Sequence, residues 1–285
     1  ETSPTLVSRQ KQSRRTVNVE VFMKKIMVTA LLAVVAAFAC FAANPESDFT
    51  FKLSNDAESV IITGVKNNLK VYDIPATIEE LPVTVIEIKE DLGYKNKNEV
   101  TLKLPEGLKE FSLLQRSGVP EGHVIINGLP SSLEKCDIRS QQNKKNPNSY
   151  YITLNGSIKT LDKLTSFTAQ YVEVKEKSLS VRKEWKSYDF LGSSFTDVTF
   201  EEGCETIYRF RNCKNITKVV LPASAKKIDN EAFMFCTSLT EIVIPDSITT
   251  LDFGVNSRNF DGAIPPLKTQ AKLKRLGYNG KFGNS

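Results

Sequence analysis

Histidine is nearly absent from this chain, since His123 is the only one among its 285 residues. No two cysteines follow the Cys-x-x-Cys spacing of zinc ligands, so no structural metal site is expected. The GxSxG, HExxH, P-loop and GxGxxG motifs of common enzyme classes are also missing. His123 has no evident nucleophile partner, and we place it in an exposed loop after Gly122. These absences predict no catalytic residue, no metal and no cofactor, and therefore a protein that is not an enzyme.

Excess positive charge is also scarce once the first residues are set aside. Residues 1–40 hold six Lys or Arg and two acidic residues, an excess of four, so the formal charge of +5 falls to +1 for the remainder. Proteins that bind nucleic acid usually carry a basic patch or a strongly basic domain. Nucleic acid is therefore not an expected partner.

One uncharged hydrophobic run stands out near the start of the chain. It covers residues 26–38, with two lysines before it and small residues after it. This order of basic, apolar and small residues is typical of a secretory signal peptide, and the run is short for a membrane span. We predict a signal peptide over residues 23–42. Residues 1–22 are then a translated upstream extension without a structural role.

Cys40 closes the hydrophobic run in the sequence AAFAC and has two interpretations. Preceded by Ala39, it resembles a relaxed lipobox, in which Cys40 becomes a diacylated N-terminus and the protein's only membrane anchor. Alternatively, cleavage near Ala42 removes Cys40 with the signal peptide. The leucine that usually lies upstream of a lipobox cysteine is missing, which favours cleavage. Both interpretations predict an extracytoplasmic protein, at the cell surface or outer membrane, in the periplasm, or secreted.

A repeated pattern organises the rest of the chain. Ile242 and Ile244 alternate as in a strand, and Pro245 ends that strand. Ile248 and Leu251 follow four and seven residues after Ile244, which we call the anchor of this copy. The corresponding anchors of all copies are Ile74, Leu104, Leu129, Leu154, Val174, Phe200, Leu221 and Ile244. They lie 20 to 30 residues apart, close to the leucine-rich-repeat period of about 20–29. The pattern predicts a solenoid of about eight coils, whose short parallel strands stack into one sheet.

The sharpest copies resemble a known repeat family. The run AFMFCTSLTEIVIPDSITTL, residues 232–251, resembles the treponemal, or BspA-like, leucine-rich repeat, whose units read AF..C..L..I.IP.S(V/I). Residues 62–86 are similar to that family's opening coil, and residues 267–282 to its closing cap. The resemblance implies a right-handed solenoid of short parallel strands with few helices and a C-terminal helical cap. It also implies an adhesin-like surface protein that binds another protein.

The predicted solenoid covers residues 43–285 and has three parts. Irregular coils span residues 51–190, regular coils residues 191–251, and the cap residues 252–285. The polar segment Glu176–Tyr188, which holds Trp185, is interpreted as a surface loop and a candidate insertion between the two kinds of coil. In the cap, one helix face is predicted to carry Leu267, Ala271, Leu273 and Leu276.

The cysteines of the repeats have two interpretations. Cys213 and Cys236 occupy the same position in successive units, so their side chains are expected to be neighbours. They form either a ladder of buried thiols or a disulfide, which export would permit. Parallel side-chain directions in stacked coils favour the ladder. Cys136 and Cys204 stand at core positions and are expected to be buried.

The middle residue of each strand is expected to face away from the core. Stacking would align these residues as one exposed stripe: Asp73, Lys103, Thr153, Glu173, Thr199, Val220 and Val243. Solenoids bind partners through extended surfaces of this kind. Val220 and Val243 are apolar neighbours, which indicates either a contact patch or simply residues that favour strands.

Two functions remain open at this point. The first is an exported protein-binding module, adhesin-like, whose partner is a host matrix protein or a cell-envelope protein. The alternative is a structural periplasmic or outer-membrane-associated repeat protein without a host ligand.

Overall fold

The computed structural model of the chain describes residues 43–90, 92, 99–115, 122–141, 143, 150–159, 161–249, 251 and 258–283. The predicted extension, the predicted signal peptide and Cys40 lie outside the described residues. Within the described ranges, no helix combines the length and the apolar character that crossing a membrane requires.

The regular structure consists almost entirely of short strands. The strands are β1 Phe49–Leu53, β2 Val60–Val65, β3 Val71–Asp73, β4 Thr77–Ile78, β5 Leu81–Ile88, β6 Glu99–Lys103, β7 Glu110–Leu114, β8 His123–Asn127, β9 Lys135–Arg139, β10 Ile152–Asn155, β11 Ser166–Gln170, β12 Glu173–Val174, β13 Ser178–Val181, β14 Ser187–Asp189, β15 Asp197–Phe200, β16 Thr206–Ile207, β17 Lys218–Val220, β18 Lys227–Ile228 and β19 Glu241–Ile242. A short 3-10 turn, Glu46–Asp48, precedes them, and helix α1, Leu267–Arg275, follows.

Successive strands alternate between sheets, which is the topology of a solenoid. Sheet 1 has eight strands in the order β1-β2-β5-β7-β9-β11-β14, with β4 beside β5. Sheet 2 has the order β12-β10-β8-β6-β3, sheet 3 the order β13-β15-β17-β19, and sheet 4 pairs β16 with β18. Apart from the antiparallel pairs of β1 with β2 and β4 with β5, the pairing is parallel. The chain makes about seven turns, and the predicted repeat solenoid is confirmed.

The core is built from equivalent residues stacked in neighbouring coils. Side chains alternate along each strand, so that in β15 Val198 and Phe200 are buried while Thr199 is exposed. A column of buried aromatic rings runs through the C-terminal part of the solenoid: Phe167, Phe190, Phe210, Phe233 and Phe260. Consecutive rings in this column are 5.2 to 5.9 Å apart, the range of favourable aromatic pairs. Each coil therefore depends on the rings of its neighbours.

The expected single sheet is wrong, because the predicted strands divide between sheets 2 and 3. Sheet 2 ends at β12, where the Ser194 hydroxyl is hydrogen-bonded to both the backbone N–H and the carbonyl of Val174. It accepts a hydrogen bond from the Val174 N–H at 2.7 Å and donates to the Val174 carbonyl at 3.3 Å. A side chain that satisfies both backbone groups leaves nothing for a further strand. Sheet 3 starts with the next strand along the chain, β13.

The segment Glu176–Tyr188 is not a surface loop or an insertion, as the sequence suggested. Its residues form β13 and part of β14, which belong to sheets 3 and 1. Trp185 is buried, with its ring edge-on to Phe167 at 5.7 Å. The error arose because charged residues before and after each strand masked the alternation of Leu179 and Val181 toward the core.

The C-terminal helix is present, but its buried face differs from the prediction. Leu273 is buried and Leu276 is partly buried, whereas Ala271 is exposed and Leu267 is 82% exposed. Thr269 takes the expected place of Ala271 in the contact with the last coil, because its hydroxyl donates to the Ile242 carbonyl at 2.6 Å. The helix is therefore rotated about its axis relative to the prediction, and Leu267, its first apolar residue, lies at the surface.

Candidate functional site

The residues predicted to form one exposed stripe lie in three separate rows, and one of them, Thr153, is buried with 3% of its surface exposed. Asp73 pairs with Lys103 across β3 and β6, and Thr153 pairs with Glu173 across β10 and β12. These two rows are not continuous. Leu102 pairs with Ile126, so Lys103 is level with the next residue of β8, whereas Thr153 pairs with Ile125, two residues earlier. The third row is on sheet 3. There Thr199 pairs with Val220, and Val243 follows Ile242, the partner of Val219.

The first row is a surface ion pair. The Lys103 ammonium lies 2.9 Å from the Asp73 carboxylate, and both side chains remain substantially exposed. Exposed pairs of this kind contribute about 0–1 kcal/mol and are screened by salt. The pair neutralises its own end of sheet 2, so it offers little net charge to a partner.

The second row includes the single histidine, which lies at the start of strand β8 and not in an exposed loop. The His123 Nε2 atom is 2.7 Å from the Thr153 Oγ1 atom, and the Thr153 hydroxyl donates to Glu173 at 3.0 Å. Lys175 donates to the same carboxylate at 3.0 Å. Partial burial opposes ionisation of Glu173, but the bonds from Lys175 and Thr153 outweigh it and lower the Glu173 pKa.

This hydrogen-bonded chain has the wrong direction for nucleophilic catalysis. The hydroxyl proton of Thr153 is donated to a carboxylate, so the histidine nitrogen must itself be the donor to Thr153. A general base accepts the proton of its nucleophile, and His123 cannot do so in this arrangement. The chain of His123, Thr153 and Glu173 therefore links three strands of sheet 2. In the described ranges, no group of three or more His, Cys, Asp or Glu is placed to hold a metal ion.

Two residues of the third row, Val220 and Val243, line an open groove at the C-terminal end of sheet 3. Its cavity volume is about 450 Å³. Val220 and Val243 project into it with 43% and 78% of their surface exposed. Further lining residues come from β17, from β19 and from the start of the cap: Lys218, Glu241, Pro245, Pro266, Lys268 and Thr269. We call this feature the C-terminal groove.

Two local features of the sequence build the C-terminal groove. Pro245 cannot donate to a strand ladder, so β19 ends early and leaves Val243 beyond the paired residues. Pro266 immediately precedes the helix and fixes its direction of entry. The Thr269 hydroxyl then fastens the first turn of the helix to the last strand. A strand end and a helix start thus face a common space.

The charged side chains of the groove are mainly lysines. Lys218 lies 3.4 Å from Glu241, in a pair whose side chains are 49% and 65% exposed. Lys268 is exposed, and the described part of the chain provides no ion-pair partner for it. The helix has no side-chain cap and no acidic residue in its first turn. Sequence reasoning missed Lys268 and Thr269 because their position depends on how the helix is rotated.

The cysteines form a buried ladder and not a disulfide. Cys136, Cys204, Cys213 and Cys236 are free, buried thiols. The thiol of Cys213 donates to the Phe190 carbonyl at 2.9 Å. Burial raises the pKa of the Cys213 thiol to about 12, although hydrogen bonds from Ser193 oppose this shift. These thiols fill the core and do not belong to the groove.

Comparison with known families gives a direct match for a stretch that includes the regular coils. Residues 163–260 match the BspA type leucine rich repeat region in six copies. The chain contains BspA-type leucine-rich repeats. This region includes the whole of sheet 3, the column of phenylalanine rings and Val220 and Val243 of the groove. None of the curated proteins compared with the chain matches it.

Three solved leucine-rich-repeat structures are similar to this chain. The leucine rich repeat protein TpLRR of T. pallidum is 17% identical with a TM-score of 0.41, covering 86% of this chain and 100% of its own. A leucine rich cell surface protein from Faecalibacterium prausnitzii is 14% identical with a TM-score of 0.20, covering 86% and 95%. A leucine-rich repeat protein from Bacteroides ovatus is 15% identical with a TM-score of 0.21, covering 84% and 98%.

Proposed function

We propose that this BspA-type repeat protein is an exported protein-binding module that takes its partner in the C-terminal groove. Leucine-rich-repeat solenoids are typically scaffolds for protein interaction, and their stacked strands provide the contact surface. The observation that carries the proposal is the exposure of Val220 and Val243, at 43% and 78%, beside a cavity of about 450 Å³. Exposed apolar surface around a concavity is typical of a binding site.

The free energy of apolar burial favours binding at one end of the predicted stripe. Fully burying a valine side chain is worth about 1.5 kcal/mol or more, whereas an exposed ion pair such as Asp73 with Lys103 contributes about 0–1 kcal/mol. Thr199 is polar and exposed, so it offers less apolar surface than its neighbour Val220. We therefore replace the evenly distributed stripe with a contact centred on Val220 and Val243.

The proposed location and partner follow from the start of the sequence. The basic, apolar and small residues over 23–42 support export, by cleavage or by lipidation of Cys40. An exported repeat protein meets envelope proteins and, at the cell surface, host matrix proteins. Protease treatment of intact cells distinguishes the two, because only a surface-exposed chain is cleaved while a periplasmic marker stays intact.

Affinity measurements on matched valine variants test the proposal. Purified protein is assayed by surface plasmon resonance against extracellular matrix proteins and proteins of the cell envelope. Val243→Ser should weaken the binding of a partner about tenfold, since apolar burial of roughly 1–2 kcal/mol is lost. Val71→Ser is the matched control, because Val71 is 42% exposed on a strand of sheet 2, far along the chain from the groove.

The control should change affinity by less than about twofold, and circular dichroism should show both variants folded. Equal losses in Val243→Ser and Val71→Ser, or no loss in either, would contradict a groove-centred contact.

A further inference from the structure

We infer that the C-terminal groove recognises an extended peptide segment in which an apolar residue and an aspartate or glutamate lie two positions apart. This inference rests on the proposed function and specifies the chemistry of the partner. It is drawn from the shape, the apolar lining and the lysines of the groove, taken together.

The shape of the groove fits an extended segment. Its lining includes four consecutive residues on each of two neighbouring strand regions, 218–221 and 240–243. Four residues in a strand span about 10 Å, and an extended peptide advances by the same rise of about 3.3 Å per residue. Three or four peptide residues therefore match the length of the groove. Val220 lies level with Val243, because Val219 pairs with Ile242, so one apolar side chain of such a segment would pack against both valines. Lys218 lies two residues earlier on the same exposed face, so the side chain two positions along the segment would face Lys218.

The charge of the groove favours carboxylates on the partner. Lys218 and Lys268 reach the groove from two different elements, β17 and the cap helix. Lys268 has no ion-pair partner in the described ranges, and the exposed pair of Lys218 with Glu241 at 3.4 Å is weak enough to be shared. The uncapped start of the helix adds positive potential on the same side.

Fluorescence anisotropy with two labelled peptides tests the inference on the full chain. In the first peptide, glutamate or aspartate stands two positions from each leucine or valine, and the second replaces each acid by its amide, glutamine or asparagine. The acidic peptide should bind at least tenfold more tightly at low salt. Because charges in an open groove are screened, the difference should shrink at about 0.5 M NaCl. Equal binding of the two peptides, or no binding of the acidic one, overturns the inference.

A pair of charge reversals identifies the lysine responsible. Lys268→Glu should weaken the acidic peptide at least tenfold, whereas Lys274→Glu, on the same helix but outside the groove, should change it less than twofold. An acid in the first turn suits the helix dipole, so the melting temperature of Lys268→Glu should stay constant or rise. Weaker binding in a variant that is not destabilised excludes unfolding as the cause. Equal effects of the two reversals overturn the inference.

The two proposals fail in different experiments. If Val243→Ser weakens a protein partner but acidic and amide peptides bind alike, the groove binds protein and only the acidic preference is wrong. If Val243→Ser and Val71→Ser behave alike toward every protein partner, the proposed function itself is wrong.

Discussion

The thiol of Cys236 donates a hydrogen bond to the backbone carbonyl of Phe210 in the preceding coil, at 3.0 Å. Cys213 makes the equivalent bond to Phe190, one coil earlier. The repeated cysteine therefore has two functions in the core. It fills space beside the phenylalanine column, and it gives a carbonyl outside the strands a second hydrogen bond besides the one from a backbone N–H. This explains why the same residue recurs at the same place in successive units.

Cys236→Ala should destabilise the regular coils. The substitution removes a fully buried sulfur and its hydrogen bond to the Phe210 carbonyl, which then keeps only the longer bond from the Cys213 N–H at 3.3 Å. The free energy of unfolding should therefore fall by about 2 kcal/mol. Cys204→Ala is the matched control. Its thiol is at the edge of the core, with a longer contact of 3.6 Å to the Val181 carbonyl, and its loss should be about half as large. Urea unfolding monitored by circular dichroism measures the free energy of unfolding of both variants. A larger loss for Cys204→Ala than for Cys236→Ala would contradict a stabilising role for the stacked thiols.

Gly192→Ala should be among the most damaging single-methyl substitutions in the chain. Gly192 has a φ of +65°, and a Cβ atom there would lie 2.4 Å from the ring of Tyr171. Strain and overlap together should lower the free energy of unfolding by about 3 kcal/mol or more. Gly107 separates the two effects, since its φ is +90° but no atom lies within 4 Å of the added Cβ. Gly107→Ala should cost only about 1 kcal/mol, and equal costs would show that the Tyr171 contact is unimportant.

The C-terminal cap should loosen in acid through Asp261. Partial burial disfavours its charge, but hydrogen bonds from Tyr278, Arg258 and the Lys281 N–H outweigh this and lower the Asp261 pKa. A carboxyl with a lowered folded pKa stabilises the protein above its unfolded pKa of about 3.9, and this stability is lost as the pH falls below that value.

The protection of residues 258–283 against hydrogen exchange, relative to the intrinsic exchange rate at each pH, should therefore fall below about pH 4. In Asp261→Asn, this protection should be lower at neutral pH and less dependent on pH over the same interval. A variant with the same acid response as the natural chain would assign the effect to another carboxyl.

The sequence predicted the repeat correctly wherever apolar side chains define it. Phe200 and Ile242 fall in strands because their spacing reflects the core, and the core is what a repeat pattern reports. The sheet break at Ser194 was not predictable in the same way, because it depends on one hydroxyl bonding both backbone groups of Val174. The alternation of Leu179 and Val181 was a readable signal, but neighbouring lysines and glutamates obscured it.

The candidate site was predicted in part. Val220 and Val243 were recognised as exposed apolar neighbours from their strand positions alone. Their groove also requires Lys268, which comes from a helix whose rotation is set by the hydrogen bond from Thr269 to Ile242. The hydrophobic pattern favoured Ala271 at this contact, because a pattern of apolar residues cannot anticipate a buried hydroxyl with a specific acceptor.

Hydrogen exchange of the full chain with and without a bound protein partner tests the groove most directly. Binding should protect peptides that cover residues 218–221, 240–245 and 266–269, while the outward face of sheet 2 around His123 and Thr153 exchanges as before. Protection that is centred on sheet 2, or spread evenly over every coil, would contradict a contact at Val220 and Val243.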